Sequence, residues 1–296
     1  MLAVAGISTK AHRGTEMARD VGRCVYCGKY GLWLGKYGPG VRLGKEHIIP
    51  LALGAGAYLK NASCDECAKI TKAFETHVAR NIFGHHRIHK GVQTRHPEQR
   101  PSALPTRVLV KGIEHRQELD IKDHPYFLAM PVWDQPGLLR GLSPSSDYPG
   151  LSTHLFYHLP DNLRETLNLS DGDLAEIRPD SRIDANQFGR ALAKIAYCSA
   201  IETLGLEGIG HSGLPAVILG KDPNIPYYVG SVLRAPPPPS RHGPLHRIDL
   251  GTTGYIFEPR SGLYRRFLIS SIRLFGTDGT SENGMPVYTV IVGSAA

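Results

Sequence analysis

Two Cys-x-x-Cys pairs, Cys24/Cys27 and Cys64/Cys67, constrain this chain more than any other feature. Each pair puts two thiolates on a tight turn, and two pairs complete a closed tetrahedral zinc site. Redox dithiols do not usually come doubled around a short insert, and disulfides are rare in the cytosol, so the spacing predicts a structural metal ion. The fifth cysteine, Cys198, falls in an apolar helical pattern and reads as an inert core residue.

The segments around the pairs carry their own signals. Residues 22–45 are turn-rich and Gly-heavy, with short apolar pieces such as Tyr30 to Leu34. Leu43 to Pro50 fits a short strand closed by Pro50, and the Gly-rich stretch Leu53 to Ala57 turns the chain back toward Asn61. Ser63 and Glu66 have the spacing of a capping box, which predicts a helix from the second cysteine pair. Ile70, Phe74, Val78 and Ile82 form its buried stripe, and Gly84 is its expected stop.

Charge divides the chain. The first 100 residues hold 16 Lys+Arg against 7 Asp+Glu, whereas the remaining 196 hold 18 against 20. The basic excess of the N-terminal third suits a polyanion, since phosphate contacts and counterion release need no sequence readout. A solvated basic surface would show the same counts. Where the excess ends, His96 to Pro105 carries three prolines and marks a boundary. The expected organisation is α+β: a tail over 1–18, a first domain over 19–96, a linker over 97–105, and a mixed accessory domain over 106–296.

In that second part Val108 to Val110 suggests a strand. Asp184 to Leu204 reads as a helix, with Asp184 and Gln187 as its cap, Phe188, Leu192, Ile195 and Ala196 on its apolar face, and Gly205 as its stop. Strand-like runs follow at Ala216–Leu219, Tyr227–Leu233, Tyr255–Phe257, Phe267–Leu274 and Val287–Val292, the last two as a hairpin. Ala235 to Ser240, with four consecutive prolines, is a stiff connector. No apolar run is long enough to span a membrane, and Met1 to Gly14 lacks the pattern of a signal peptide, so a soluble cytoplasmic protein is expected.

Between the cysteine pairs lies Glu46-His47-Ile48-Ile49-Pro50. A carboxylate beside an imidazole suits phosphodiester hydrolysis, with a cation held by the acid and a water activated by the histidine. On a straight strand the two side chains point to opposite faces, so the strand must bend to bring them together. The ordered set of Cys-x-x-Cys, Glu-His-Ile-Ile-Pro, a Gly-rich turn, Asn61, and Cys-x-x-Cys opening a helix resembles the HNH endonuclease family. More narrowly, it is similar to the subgroup with a four-cysteine zinc staple around a ββα-metal core, over Cys24 to Gly84. The resemblance implies Glu46 as ligand to a catalytic Mg²⁺ or similar divalent cation. It implies His47 as general base and Asn61 as the residue orienting that histidine. Asn61 also suits a plain turn.

One position departs from the family. After the last cysteine, where His or Asn supplies a second cation ligand, stands Ala68. Glu75, two turns along the same helical face, is the better chemical substitute; His77 is rotated roughly half a turn away. Beyond the helix, His85 to Lys90 reads better as a basic segment than as a second metal site. Arg80, Arg87, Lys90, Arg95 and Arg100 are the expected phosphate contacts. The expectation is a metal-dependent endonuclease acting on DNA. Ala68 keeps a second one open, a weak or inactive zinc-stapled nucleic-acid-binding protein.

Overall fold

The computed structural model describes residues 18–31, 40–54, 56–92, 94, 96–147, 150–170, 175–178, 183–233, 245–275 and 285–295. The expected tail up to residue 17, residues 32–34 of the Tyr30–Leu34 piece, Arg95 and the proline run lie outside the described residues.

Near the N-terminus, Leu43–His47 (β1) and Tyr58–Cys64 (β2) pair antiparallel, with a register shift between Gly44 and Glu46. Helix Asp65–His77 (α1) follows directly, giving a β-β-α order. Its cap differs from the capping box that the spacing predicts. Ser63 sits in the ladder opposite Gly44 and is buried, while Cys64 is the N-cap with no side-chain bond. The strand runs one residue past the expected helix start and takes Ser63 with it. The helix end differs too. A π-turn over Val78–Ile82, closed by Phe83 N–H donating to Val78 O at 3.0 Å, buries Ile82 and Phe83. Gly84 then opens a second helix, Gly84–His89 (α2), instead of ending the first.

The rest is mixed. Ala103–Val110 (β3) and Ile113–Asp120 (β4) form a hairpin, followed by Tyr126–Val132 (β5), Ser152–His158 (β6), the short helix Leu163–Thr166 (α3) and Ala175–Arg178 (β7). Helix Ala185–Leu204 (α4) leads into two short helices, Leu214–Ile218 (α5) and Ile225–Tyr228 (α6). The strands Val229–Leu233 (β8), Arg247–Thr252 (β9), Ile256–Glu258 (β10), Leu263–Arg265 (β11), Phe267–Arg273 (β12) and Pro286–Ser294 (β13) complete the order. The largest sheet runs β8-β13-β12-β9 and is antiparallel throughout; β4-β3-β7 and β5-β6 form smaller ones.

Helix α4 matches its sequence signals closely. Asp184 accepts from Gln187 N–H at 3.0 Å and from the Gln187 amide at 2.9 Å, and Gly205 ends the helix at φ 78°. Of its 20 residues 13 are buried, so it is a core helix packed on every side, against α1, α5 and the four-stranded sheet. Phe267–Arg273 and Pro286–Ser294 pair as the expected hairpin. Residues 216–218 are helical in α5, where Pro215 sits in the first turn. A short apolar run does not by itself distinguish strand from buried helix.

Within the expected linker, Pro97–Gln99 form a single helical turn and β3 begins at Ala103. One hydrophobic core joins the two parts of the chain. Phe83 packs on Phe188 and Phe275 at ring-centroid distances of 6.1 and 5.0 Å, and Tyr26 Oη meets Cys198 Sγ at 3.5 Å. The β-β-α unit therefore sits directly on α4, and that contact determines what its cleft contains. Among the described residues no helix is long and apolar enough to cross a membrane.

Candidate functional site

The four paired cysteines come together. Gly28, at φ 76°, lets its N–H return to Cys24 O at 2.9 Å, which folds the first pair into a knuckle. Val25 N–H donates to Ala62 O at 2.8 Å and ties that knuckle to β2, at whose end Cys64 stands. All four sulfurs lie within 4.8 Å of one another, and Cys27 Sγ is 3.7 Å from Cys64 Sγ. With Zn–S bonds of about 2.3 Å, a tetrahedron has edges of about 3.8 Å. The cysteines are free thiols, and the cluster can hold a zinc ion. Burial pushes the Cys24 and Cys67 thiols up. At Cys64 burial acts the same way but is outweighed by hydrogen bonds from the Cys67 backbone and neighbouring thiols, so that group is lowered. A bound cation removes the conflict by favouring thiolate at every position.

A cleft of about 540 Å³ lies beside this staple. Glu46 and His47 from β1 line it, with Ala68, Thr71 and Glu75 from α1 and Arg80 from the π-turn. The register shift before Glu46 lets the two neighbouring side chains share this site, Glu46 buried at 5% exposure and His47 half-buried. Lys45, Lys72, Arg80 and Arg87 supply four cationic side chains to its lining.

Glu46 and Glu75, the two expected cation ligands, converge, but the cation between them is a lysine. Lys194 Nζ, from the middle of α4, lies 3.0 Å from Glu46 Oε1 and 2.7 Å from Glu75 Oε1. It also donates to His47 O, and Ile48 O is 3.4 Å away. Its side chain is fully buried. Burial alone depresses a lysine, yet the two carboxylates outweigh it and hold Lys194 above its ordinary value. One ammonium does not fully offset two acids. Burial raises the Glu75 carboxyl, Lys194 opposes that, and Glu46 adds to it.

The remaining sequence-predicted residues divide between the cleft and elsewhere. Asn61 does not reach His47. It adopts a left-handed φ of 47°, is exposed, and donates its amide to both Asp20 carboxylate oxygens at 3.0 Å. The strand partner of His47 is Tyr58, at a ring-centroid distance of 5.8 Å. His77 Nδ1 meets the Asn81 amide at 2.8 Å and is outside the cleft lining. Arg80 and Arg87 line the cleft; burial lowers Arg87, whose Nη1 donates to Ala79 O at 3.0 Å. Lys90 and Arg100 are outside the lining, and Arg100 donates to Val92 O. Sequence reasoning missed Lys194. Its one signal was a charged residue inside the apolar run Ala191 to Ala196.

Comparison with known families, known proteins and solved structures finds no match for the chain.

Proposed function

We propose that this protein is an HNH-type nuclease that takes a nucleic-acid strand, DNA in the first instance, into the cleft beside its cysteine staple. The observation carrying this reading is that one cleft gathers His47, two acidic side chains and four cationic ones next to the cysteine cluster. Lys194 neutralises part of the acidic charge from behind, so the cleft facing solvent is basic.

In this reading Lys45, Lys72, Arg80 and Arg87 hold phosphates by charge, without reading bases. His47 takes a proton from a water as that water attacks phosphorus. The P–O bond to the leaving oxygen breaks, and that oxygen collects a proton from solvent. The divalent cation that the family resemblance implies does not fit this arrangement. Both candidate carboxylates are engaged by the ammonium, and a magnesium ion needs oxygens at 2.0–2.1 Å. No step is therefore assigned to it. The same observation favours a second reading, a zinc-stapled protein that binds nucleic acid without cutting it.

Conversion of supercoiled plasmid to nicked or linear DNA distinguishes them. The nuclease reading expects product, lost by about 10²-fold or more in His47→Ala while zinc content and fold persist. Equal cutting by that variant removes His47 from the mechanism. Binding without product under any metal leaves the second reading, and absence of both rejects the two together. Binding in either case weakens with salt, and Arg80→Ala lowers the slope of log K against log salt by about 1.

A further inference from the structure

The carboxylate pair and its lysine carry a statement about which cation this site uses. Lys194 Nζ has four oxygens around it: one from Glu46, one from Glu75, and the backbone carbonyls of His47 and Ile48. The two carbonyls accept hydrogen bonds from the ammonium, and the two carboxylate oxygens pair with it by charge. The side chain is 0% exposed, so it does not touch anything bound in the cleft. It comes from α4, in a core continuous with the β-β-α unit. A lysine this deep, placed between two acids and the carbonyl of the neighbouring histidine, does the positional work of a metal ion.

We propose that Lys194 is the resident cation of the cleft, a positioning residue that occupies the place of a divalent ion between Glu46 and Glu75, and that its removal opens a divalent-cation site there. It rests on the carboxylate geometry and concerns the same cleft as the nuclease reading, so its test reads ion binding as well as turnover. A second positive charge between the same oxygens is repelled at about 3 Å by the ammonium, in surroundings of low dielectric. Without the ammonium, the buried Glu46 and half-buried Glu75 carboxylates and two carbonyls form an all-oxygen donor set of the kind manganese and magnesium take.

The test is a titration with Mn²⁺ of the full zinc-loaded chain, read by the electron paramagnetic resonance signal of free Mn²⁺. Wild type is expected to show no equivalent whose binding depends on Glu46. Lys194→Ala is expected to gain one equivalent, bound roughly tenfold or more tighter than any residual wild-type binding. Lys194→Ala/Glu46→Gln is expected to lose it again. A wild-type equivalent that disappears in Glu46→Gln overturns the proposal, as does folded Lys194→Ala with no added binding. If Lys194→Ala does not fold by circular dichroism and zinc content, Lys194→Gln carries the same expectation, and the wild-type arm can overturn the proposal alone. Plasmid nicking on the same proteins separates the two claims. Cutting stimulated by Mn²⁺ only in the lysine variant agrees with both. No cutting by any of them removes the nuclease reading and leaves the Mn²⁺ result standing.

Discussion

Two cation sites sit on the same β-β-α unit, and they are built on opposite principles. The cysteine cluster draws two ligands from the turn before the unit and two from the β2–α1 junction, and it can hold a zinc ion taken from outside. The carboxylate pair, Glu46 and Glu75, is closed by an ammonium the chain itself supplies from α4. The first can form wherever its two knuckles meet. The second exists only if α4 docks. Local segments therefore complete one site, while the other records the joining of the two parts of the chain.

The largest expected effect breaks the first site. Cys64→Ser, or exhaustive chelation, should take zinc from one per chain to none and unfold the β-β-α unit. The loss is on the order of 10 kcal/mol, the scale of structural zinc in small domains. Zinc release to a chromophoric chelator, with circular dichroism on the same sample, measures both. A protein that keeps its fold after losing zinc shows that the staple is dispensable and that docking on α4 carries the unit.

Next comes the ammonium. Lys194→Ala leaves the buried Glu46 and the half-buried Glu75 without their counter-charge and is expected to cost about 3 kcal/mol in urea unfolding. The triple change Lys194→Met, Glu46→Gln, Glu75→Gln removes the charges together and should recover most of that loss, since replacing a buried ionic group as a whole is often near neutral. If the triple variant is as unstable as the single one, packing and not charge is what Lys194 contributes.

Acid gives the smallest effect and acts on the two sites in opposite senses. Burial raises the Glu75 carboxyl above its ordinary 4.5, so its ionised form costs stability at neutral pH. That cost is present above the folded pKa and gone below 4.5. Glu75→Gln should therefore be most favourable relative to wild type near pH 8 and lose that advantage as pH falls through the raised value. The cysteine site behaves the other way, because protonating its thiolates releases zinc. Parallel unfolding curves from pH 8 to pH 4 check the first, and zinc release over the same range checks the second. An advantage of Glu75→Gln that grows on acidification refutes the assigned direction.

Much of the architecture around the sites was legible in the residues. Cys-x-x-Cys spacing fixed the cluster, because a knuckle is a local turn closed by Gly28. Asp184 and Gly205 fixed both ends of α4 for the same reason: caps and stops are made by residues within a few positions of each other. Ser63 shows where such local rules stop. Its spacing to Glu66 is that of a cap, yet pairing with Gly44 across the sheet took it into the strand. In sequence Asn61 suits either a turn or the family's orienting role; in the structure it stands within β2 at φ 47° with its amide on Asp20.

Sequence by itself determined the cysteine cluster, the long core helix and its caps, and the gathering of positive charge in the first third of the chain. Only tertiary structure decided which cation the two acids face. Lys194 lies 147 residues from the His47 carbonyl it binds, and no spacing rule spans that distance. In isolation its position in an apolar helix reads as an error of patterning. The fold resolves it, because a buried charge must find its counter-charge, and Lys194 finds Glu46 and Glu75.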